Sequence, residues 1–424
     1  MPTDRLLIDI APQKNRREQY CLISITALCR KYNQYTKQSH LLALALLQGL
    51  CAMICRVNEE LMSRNETDAN ALAGNMSQNA PARILVTGGA GFIGSHLVDA
   101  VLSWFPSTQV TVLDALTYAA NPGNLREARA SGRMRLVHGS VEDRETLQPL
   151  IHPDMLILHL AAETHVPRSF ADPALFDRVN RGGTRILLEA AIAGKAQRVV
   201  HFSTDEVYGS RLFPADETAP LAPTSPYARS KAEAECEVEA ARARGLDLTV
   251  LRPSNVVGPR QHREKLVPRF IVLAKAGKPF PLEGDGRQQR TFLAVSDLAR
   301  AVKVILDRGP KNATYNVAGS QTLSVMEVAC LIAAVLDRRC QFVHVGDRPN
   351  NDRAYMLDGT RLAALGFQPG KQLHEAVQEI VAGELTGHSP RPLLPLDASL
   401  PAWSSPRPEA VMRDGTRAEA WRRP

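Results

Sequence analysis

The segment Thr87-Gly-Gly-Ala-Gly-Phe-Ile-Gly94 sets Gly88, Gly91 and Gly94 three residues apart. It follows a short apolar run, Arg83–Thr87, and precedes a stretch from Phe92 to Phe105 with helical spacing. Strand, glycine turn and helix in that order leave few folds open. The first glycine allows a tight turn, the second lets backbone approach a pyrophosphate, and the third permits close packing of helix on strand. The helix start adds N–H donors and the positive end of its dipole. The spacing predicts a dinucleotide site over Gly88, Gly91, Phe92, Ile93 and Gly94.

The same alternation continues. Strand-like runs follow at Gln109–Leu113, Met134–His138, Met155–Leu160, Arg198–Phe202 and Leu246–Leu251, separated by helical patterns at Glu142–Ile151, Leu175–Ala193 and Ser225–Arg244. Repeated βα units imply an α/β fold, a doubly wound parallel sheet of the Rossmann type, with ligands at the carboxyl ends of the strands. After Arg252 the pattern loosens into Pro- and Gly-rich loops, which predicts a smaller C-terminal substrate-binding lobe. Asp114 ends the second strand, where a carboxylate can hold the adenosine ribose hydroxyls. No Arg follows it, as a 2′-phosphate would require, so the expected cofactor is NAD rather than NADP.

Length exceeds what this unit needs. The 424 residues divide by composition into an N-terminal extension of doubtful origin (1–75), an NAD-binding domain (76–252), a mainly substrate-binding lobe with some return to the first domain (253–385) and a tail expected to be disordered (386–424). Residues 1–75 hold four of the seven Cys, and Met76 reads as a candidate biological start just ahead of the first strand. The formal net charge is +7, but 1–75 carries nine Lys/Arg against seven Asp/Glu and the tail six against four. The body keeps +3 without a basic block, which argues against a nucleic-acid footprint. The apolar block Leu41–Cys55 is interrupted by Gln48 and too short to span a membrane. Seven Cys without metal-type spacing point to a reducing, cytoplasmic setting and to no metal.

Two clusters carry chemistry. Ser203-Thr-Asp-Glu-Val-Tyr-Gly209 puts a hydroxyl and two adjacent carboxyls past the end of an apolar strand. Tyr227-Ala-Arg-Ser-Lys231 places a phenol and an ammonium at i and i+4, on one helix face. The ammonium and the positive nicotinamide are expected to lower the phenol pKa, so that a phenolate takes a proton from a substrate hydroxyl as hydride leaves.

With these motifs the chain resembles the extended short-chain dehydrogenase/reductase (NAD-dependent epimerase/dehydratase) family, in its dTDP-glucose 4,6-dehydratase branch. The resemblance also runs through Leu113–Ala119, His159–Val166, Val179-Asn180, Glu264–Pro268, Gly284–Arg290 and Arg348–Arg353. It implies a nucleotide-sugar 4,6-dehydratase, an NAD-dependent hydro-lyase, with Thr204, Asp205, Glu206, Tyr227 and Lys231 catalytic. Tyr227 would deprotonate the sugar 4-hydroxyl with Thr204 bonded to the same oxygen, Glu206 would take the C5 proton, and a protonated Asp205 would serve the departing C6 hydroxyl. Two carboxyls in a dry pocket fit that division, because like charges push their pKa values apart. The resemblance adds Ala161, Tyr227 and Lys231 to the cofactor site. It nominates Thr164, His165, Asn255, Lys265, Arg290, Arg348 and Tyr355 for a nucleotide-diphosphate sugar, and it implies a homodimer.

The pattern is broken at Ser140, Pro167, Val256 and Phe292, where the family usually has other residues. These lie around the adenine and sugar-nucleotide pockets, so they bear on the base and the sugar more than on the reaction. A 4-epimerase or decarboxylase of the same fold is the enzymatic alternative, against which the Asp205–Glu206 pair counts. A non-catalytic NAD-binding regulatory protein is the other, against which the intact set of five residues counts.

Overall fold

A computed structural model describes residues 80–385 apart from Leu212 and residues 348–350. The expectations for 1–75, for Met76, for the tail and for Arg348 fall outside the described residues. In chain order the strands are β1 (Arg83–Thr87), β2 (Gln109–Asp114), β3 (Met134–His138), β4 (Leu156–His159), β5 (Arg198–Phe202), β6 (Leu248–Pro253), β7 (Asn255–Val257), β8 (Phe280–Glu283), β9 (Gln289–Ala294), β10 (Thr314–Val317), β11 (Gln321–Ser324) and β12 (Phe342–Val345).

Seven of them form one parallel sheet in the order β10-β6-β5-β4-β1-β2-β3. The order reverses between β1 and β4, the point where such sheets open a crevice for ligands. The central strands are apolar because helices cover both faces: Ile84, Leu85, Val86, Ile157, Leu158, Val199 and Val200 have no solvent exposure. Burial of each such side chain contributes about 1.5–3 kcal/mol against the entropy of ordering the chain. The helix Phe92–Trp104 buries Leu97, Val98, Val101 and Leu102.

The expected helix over 175–193 is broken. The structure has Pro173–Phe176, a widened turn Asp177–Gly182, then Gly183–Ala193. Asn180, inside the wide turn, explains the break. Its Nδ2 donates to Glu163 O at 3.0 Å and Ser230 Oγ at 2.9 Å, while its Oδ1 accepts Glu163 N at 2.8 Å. Bulges of this kind re-aim side chains near functional sites. The pattern over 142–151 likewise becomes two short turns, Arg144–Leu147 and Gln148–Leu150.

Beyond Pro253 the chain builds a second core. Phe270, Ile271, Phe280, Phe292, Ile332 and Val377 cluster there, beneath the helices Leu266–Lys275, Val325–Val335 and Leu373–Leu385. Two small sheets, β11-β9-β7 and β12-β8, frame it. β10 returns to the edge of the main sheet beside β6. Among the described residues no helix is long and apolar enough to cross a membrane.

Candidate active site and cofactor cleft

A cavity of about 620 Å³ opens at the carboxyl ends of β1, β2, β4 and β5, and it reaches into the second core. Every nominated cofactor, catalytic and substrate residue among the described residues lines it. So do the four departures, Ser140, Pro167, Val256 and Phe292.

The glycine turn is a cradle with no room for side chains. Gly88 has φ +69°, and a Cβ there would fall 2.8 Å from Ala161 N. A Cβ on Gly94 would collide with the Gly88 carbonyl. Asp114, 7 % exposed, accepts Ala90 N and Leu116 N, each at 2.8 Å, which ties the end of β2 to the turn. Burial raises the Asp114 carboxyl. An open backbone cradle at a helix start, with a buried carboxylate beside it, fits a dinucleotide.

Thr204 caps the short turn Asp205–Tyr208, its Oγ1 accepting Glu206 N at 3.3 Å. The same hydroxyl donates to Asp205 Oδ1 at 3.2 Å. Asp205 is 3 % exposed, and its Oδ2 has no hydrogen-bond partner. Burial first, then the neighbouring Glu206 charge, push its carboxyl up to about 7.

Tyr227 and Lys231 lie on the helix Pro226–Ala243, which Ser225 caps by accepting Ala228 N at 3.0 Å. Pro226 at the first position suits a helix start, where its missing N–H costs nothing. Here the structure differs from the expected electrostatics. Burial and the Glu206 charge raise the Tyr227 phenol, opposed by a hydrogen bond with Thr204. Lys231 donates to Phe202 O at 2.6 Å, and burial lowers its ammonium to about 8 against the pull of Glu235.

On the substrate side Asn255 leaves a buried Oδ1 without a partner. Arg290 donates to Gln289 O at 2.7 Å and Asp352 O at 3.0 Å, and stacks 4.6 Å over Tyr355, whose hydroxyl donates to Asp352 Oδ2 at 2.6 Å. Lys265 Nζ donates to Thr164 O at 2.8 Å. His165 lies 4.0 Å from Glu264.

Sequence reading passed over Glu163 and Glu264, although both stand within quoted motifs. Glu264 accepts from Tyr118 Oη at 3.2 Å, with His262 at 3.6 Å and Lys265 at 3.7 Å. Burial pushes its carboxyl up, but the His262 bond and the charges of Lys265 and the histidines outweigh it and hold it at about 2.

Residues 84–318 match the model of the NAD dependent epimerase/dehydratase family, more than half of the chain. The chain belongs to that family. It is 42 % identical to a dTDP-glucose 4,6-dehydratase of Streptomyces niveus, over 70 % of this chain and 91 % of the relative. It is 38 % identical to a trifunctional UDP-glucose 4,6-dehydratase/epimerase/reductase of Arabidopsis thaliana, over 69 % of this chain, but spans about half of that relative's length (46 %). Among solved structures, the dTDP-glucose 4,6-dehydratase DesIV of Streptomyces venezuelae, determined with NAD bound, superimposes with a TM-score of 0.69. It shares 38 % identity, over 72 % of this chain and 98 % of that one. The family is NAD dependent, and NAD is the dinucleotide that the cradle and Asp114 fit.

The enzyme buries two neutral imidazoles under the cleft. His159 and His201, paired across β4 and β5, are lowered by burial, His159 to about 3 and His201 well below its ordinary value. Unfolded histidines bind protons below about pH 6.5. Stability carried by these two groups is therefore present above that pH and lost as pH falls towards the folded values. Asp205 acts in reverse, its raised carboxyl taking up a proton in the folded state first. The histidines cost roughly 2 kcal/mol together between about pH 6.5 and 5.5, and Asp205 returns roughly 1. Urea melts should show Asp205→Asn losing stability over that interval more steeply than the wild type; parallel losses would contradict the assignment.

Proposed function

We propose that the chain converts dTDP-glucose to dTDP-4-keto-6-deoxyglucose. The reaction class is nucleotide-sugar 4,6-dehydration and the enzyme is an NAD-dependent hydro-lyase. The observation that carries the reading is the turn Thr204–Glu206, in which a buried carboxyl kept near neutrality adjoins a second carboxyl and the Tyr227 phenol.

In this reading Gly88, Gly91, Phe92, Ile93, Gly94, Asp114 and Ala161 hold NAD, with Tyr227 and Lys231 at its reactive end. NAD, when bound, supplies a hydride acceptor for C4 and a donor for C6. Tyr227 takes the 4-hydroxyl proton while Thr204 holds that oxygen, and Lys231 favours the phenolate. The 4-ketone acidifies the C5 proton, which Glu206 removes. Asp205, whose carboxyl is raised to about 7, passes its proton in the protonated form to the C6 hydroxyl, which leaves as water. Arg290 and Asn255 hold the diphosphate and sugar ends with Arg348, and Thr164, His165, Lys265 and Tyr355 complete the walls. Arg suits paired phosphate oxygens through its fork of donors.

Residues 76–252 then serve as the cofactor domain and 253–385 as the substrate lobe. A homodimer through the helices Gly183–Ala193 and Pro226–Ala243 follows from the family resemblance, and sedimentation velocity tests it. Because the reaction draws on nucleotide sugars and NAD, we place it in the cytoplasm.

Incubation with a panel of nucleotide hexoses, without added NADH, tests the reaction. The expected product from dTDP-glucose absorbs as a 4-keto sugar in alkali and weighs one water less than its substrate. An epimer of unchanged mass would reject the reading.

A further inference from the structure

Behind the catalytic turn lies a buried charge pair that the reaction scheme leaves unused. Glu235 stands one helical turn beyond Lys231 and two beyond Tyr227, so the three share a face. Its carboxylate accepts Ser203 Oγ at 2.5 Å. It also takes the Arg252 fork, with Nε at 3.1 and 3.2 Å and Nη2 at 2.5 Å. Arg252 Nη1 donates to Tyr208 Oη at 2.6 Å, and the guanidinium lies 4.8 Å over that ring. Tyr208 in turn donates to Asn316 Oδ1 at 2.8 Å on β10.

Ser203 and Tyr208 bracket Thr204, Asp205 and Glu206. One guanidinium–carboxylate pair thus grips both ends of the turn and fastens it to the helix of Tyr227 and Lys231. Glu235 and Arg252 are 6 % and 7 % exposed. A pair so deeply desolvated adds little net stability compared with an apolar replacement, so stability alone is a weak reason for it.

The same carboxylate is the counter-charge of Lys231. Around that ammonium stand the neutral His159 on β4, the neutral His201 on β5 and the Phe202 carbonyl, and Glu235 opposes the desolvation that lowers it. Tyr227 faces Asp205, Glu206 and Thr204.

We propose that Glu235, paired with Arg252, is a positioning residue that sets the Thr204–Glu206 turn against Tyr227 and supplies the counter-charge of Lys231. The roles of Asp205 and Glu206 in this statement rest on the dehydratase reading; the clamp itself does not.

The test uses NAD-loaded enzyme and two readouts. The first needs no substrate: titration of the Tyr227 phenolate by ultraviolet difference absorbance against Tyr227→Phe. Glu235→Gln should shift its midpoint by about one unit, because the turn that sets Thr204 and Glu206 against the phenol is released. The second is turnover of dTDP-glucose, in which kcat should fall roughly 10- to 100-fold with KM within about threefold, as for loss of a transition-state interaction. Glu235→Asp should recover part of both. A folded Glu235→Gln enzyme with unchanged midpoint and kcat would overturn the proposal. If that variant does not fold because Arg252 is left unpaired, Glu235→Gln/Arg252→Met removes both charges together. An unchanged midpoint in the double variant, or failure of both to fold, assigns the pair to folding alone and overturns the proposal as well. A wild type that makes no dehydrated sugar would sink the dehydratase reading while the phenolate titration still decides the clamp.

Discussion

Glu206→Gln is expected to lower the dehydration kcat by about 10³-fold, roughly 4 kcal/mol of barrier, while oxidation at C4 survives. The amide keeps the size of the side chain and its place at the start of the turn, but it cannot take a proton from C5. The adjacent Asp205 does not replace it, because burial, the larger cause, still raises that carboxyl when the Glu206 charge is gone. Removing the Glu206 charge also removes a cause that raises Tyr227 and one that raises Asp205. The phenol should therefore titrate lower in the variant, and the first chemical step should not slow. Incubation in deuterated water separates the steps: reduced nicotinamide should accumulate on the enzyme without deuterium entering C5. Deuterium at C5 at the wild-type rate would remove Glu206 from the role of base and point to a solvent-borne proton acceptor.

The second large effect concerns Gly94→Ala, which should abolish retention of NAD through purification. The collision is with backbone, not with a side chain that could swing away: besides the Gly88 carbonyl, a Cβ at Gly94 would sit 2.7 Å from Gly89 Cα and 2.9 Å from Gly88 C. The helix Phe92–Trp104 must then lift from β1, and its first N–H groups leave the place where phosphates would meet them. A loss of about 100-fold in NAD affinity corresponds to about 2.7 kcal/mol. Gly132→Ala is the control, since Gly132 also has a positive φ (+69°) but nothing within 4 Å of its would-be Cβ. It should cost backbone strain and leave NAD content unchanged. Equal stoichiometry of NAD in Gly94→Ala and the wild type, measured after acid release, would contradict the cradle.

The two experiments probe parts of the molecule that were unequally legible in the sequence. β1 and β5 have the expected bounds, Arg83–Thr87 and Arg198–Phe202, because a strand buried on both faces is an apolar run closed by turn residues, and β3 (Met134–His138) matches as well although it is a half-exposed edge strand. The glycine turn was readable for a related reason: close backbone approach permits no side chain, so the constraint is written in residue type. The break within 175–193 was not readable. Asn180 fits an ordinary helix in sequence, and only its bonds to Glu163 and Ser230, 17 and 50 positions away, open the turn.

The candidate site divides along the same line. Tyr227 and Lys231 announce themselves by helical spacing, and the Asp205–Glu206 pair by adjacency. Glu235 has the same spacing from Lys231, but its meaning depends on Arg252 from β6 and Ser203 just past β5 meeting it in the interior. Glu264 reads as a surface charge beside Lys265 until the fold encloses it with Tyr118, His165 and His262.

By itself the sequence determined the parallel sheet, the dinucleotide turn and the residue types of the reacting cluster. These follow from periodicity and from local steric limits that act within a few positions along the chain. The tertiary structure decided the protonation behaviour of the site and which charges hold it in place. Desolvation and Coulomb interaction depend on distance through space. A phenol expected to be lowered by Lys231 is instead raised by burial and by Glu206, and a carboxyl two turns down the same helix accepts the Ser203 hydroxyl beside the Thr204–Glu206 turn.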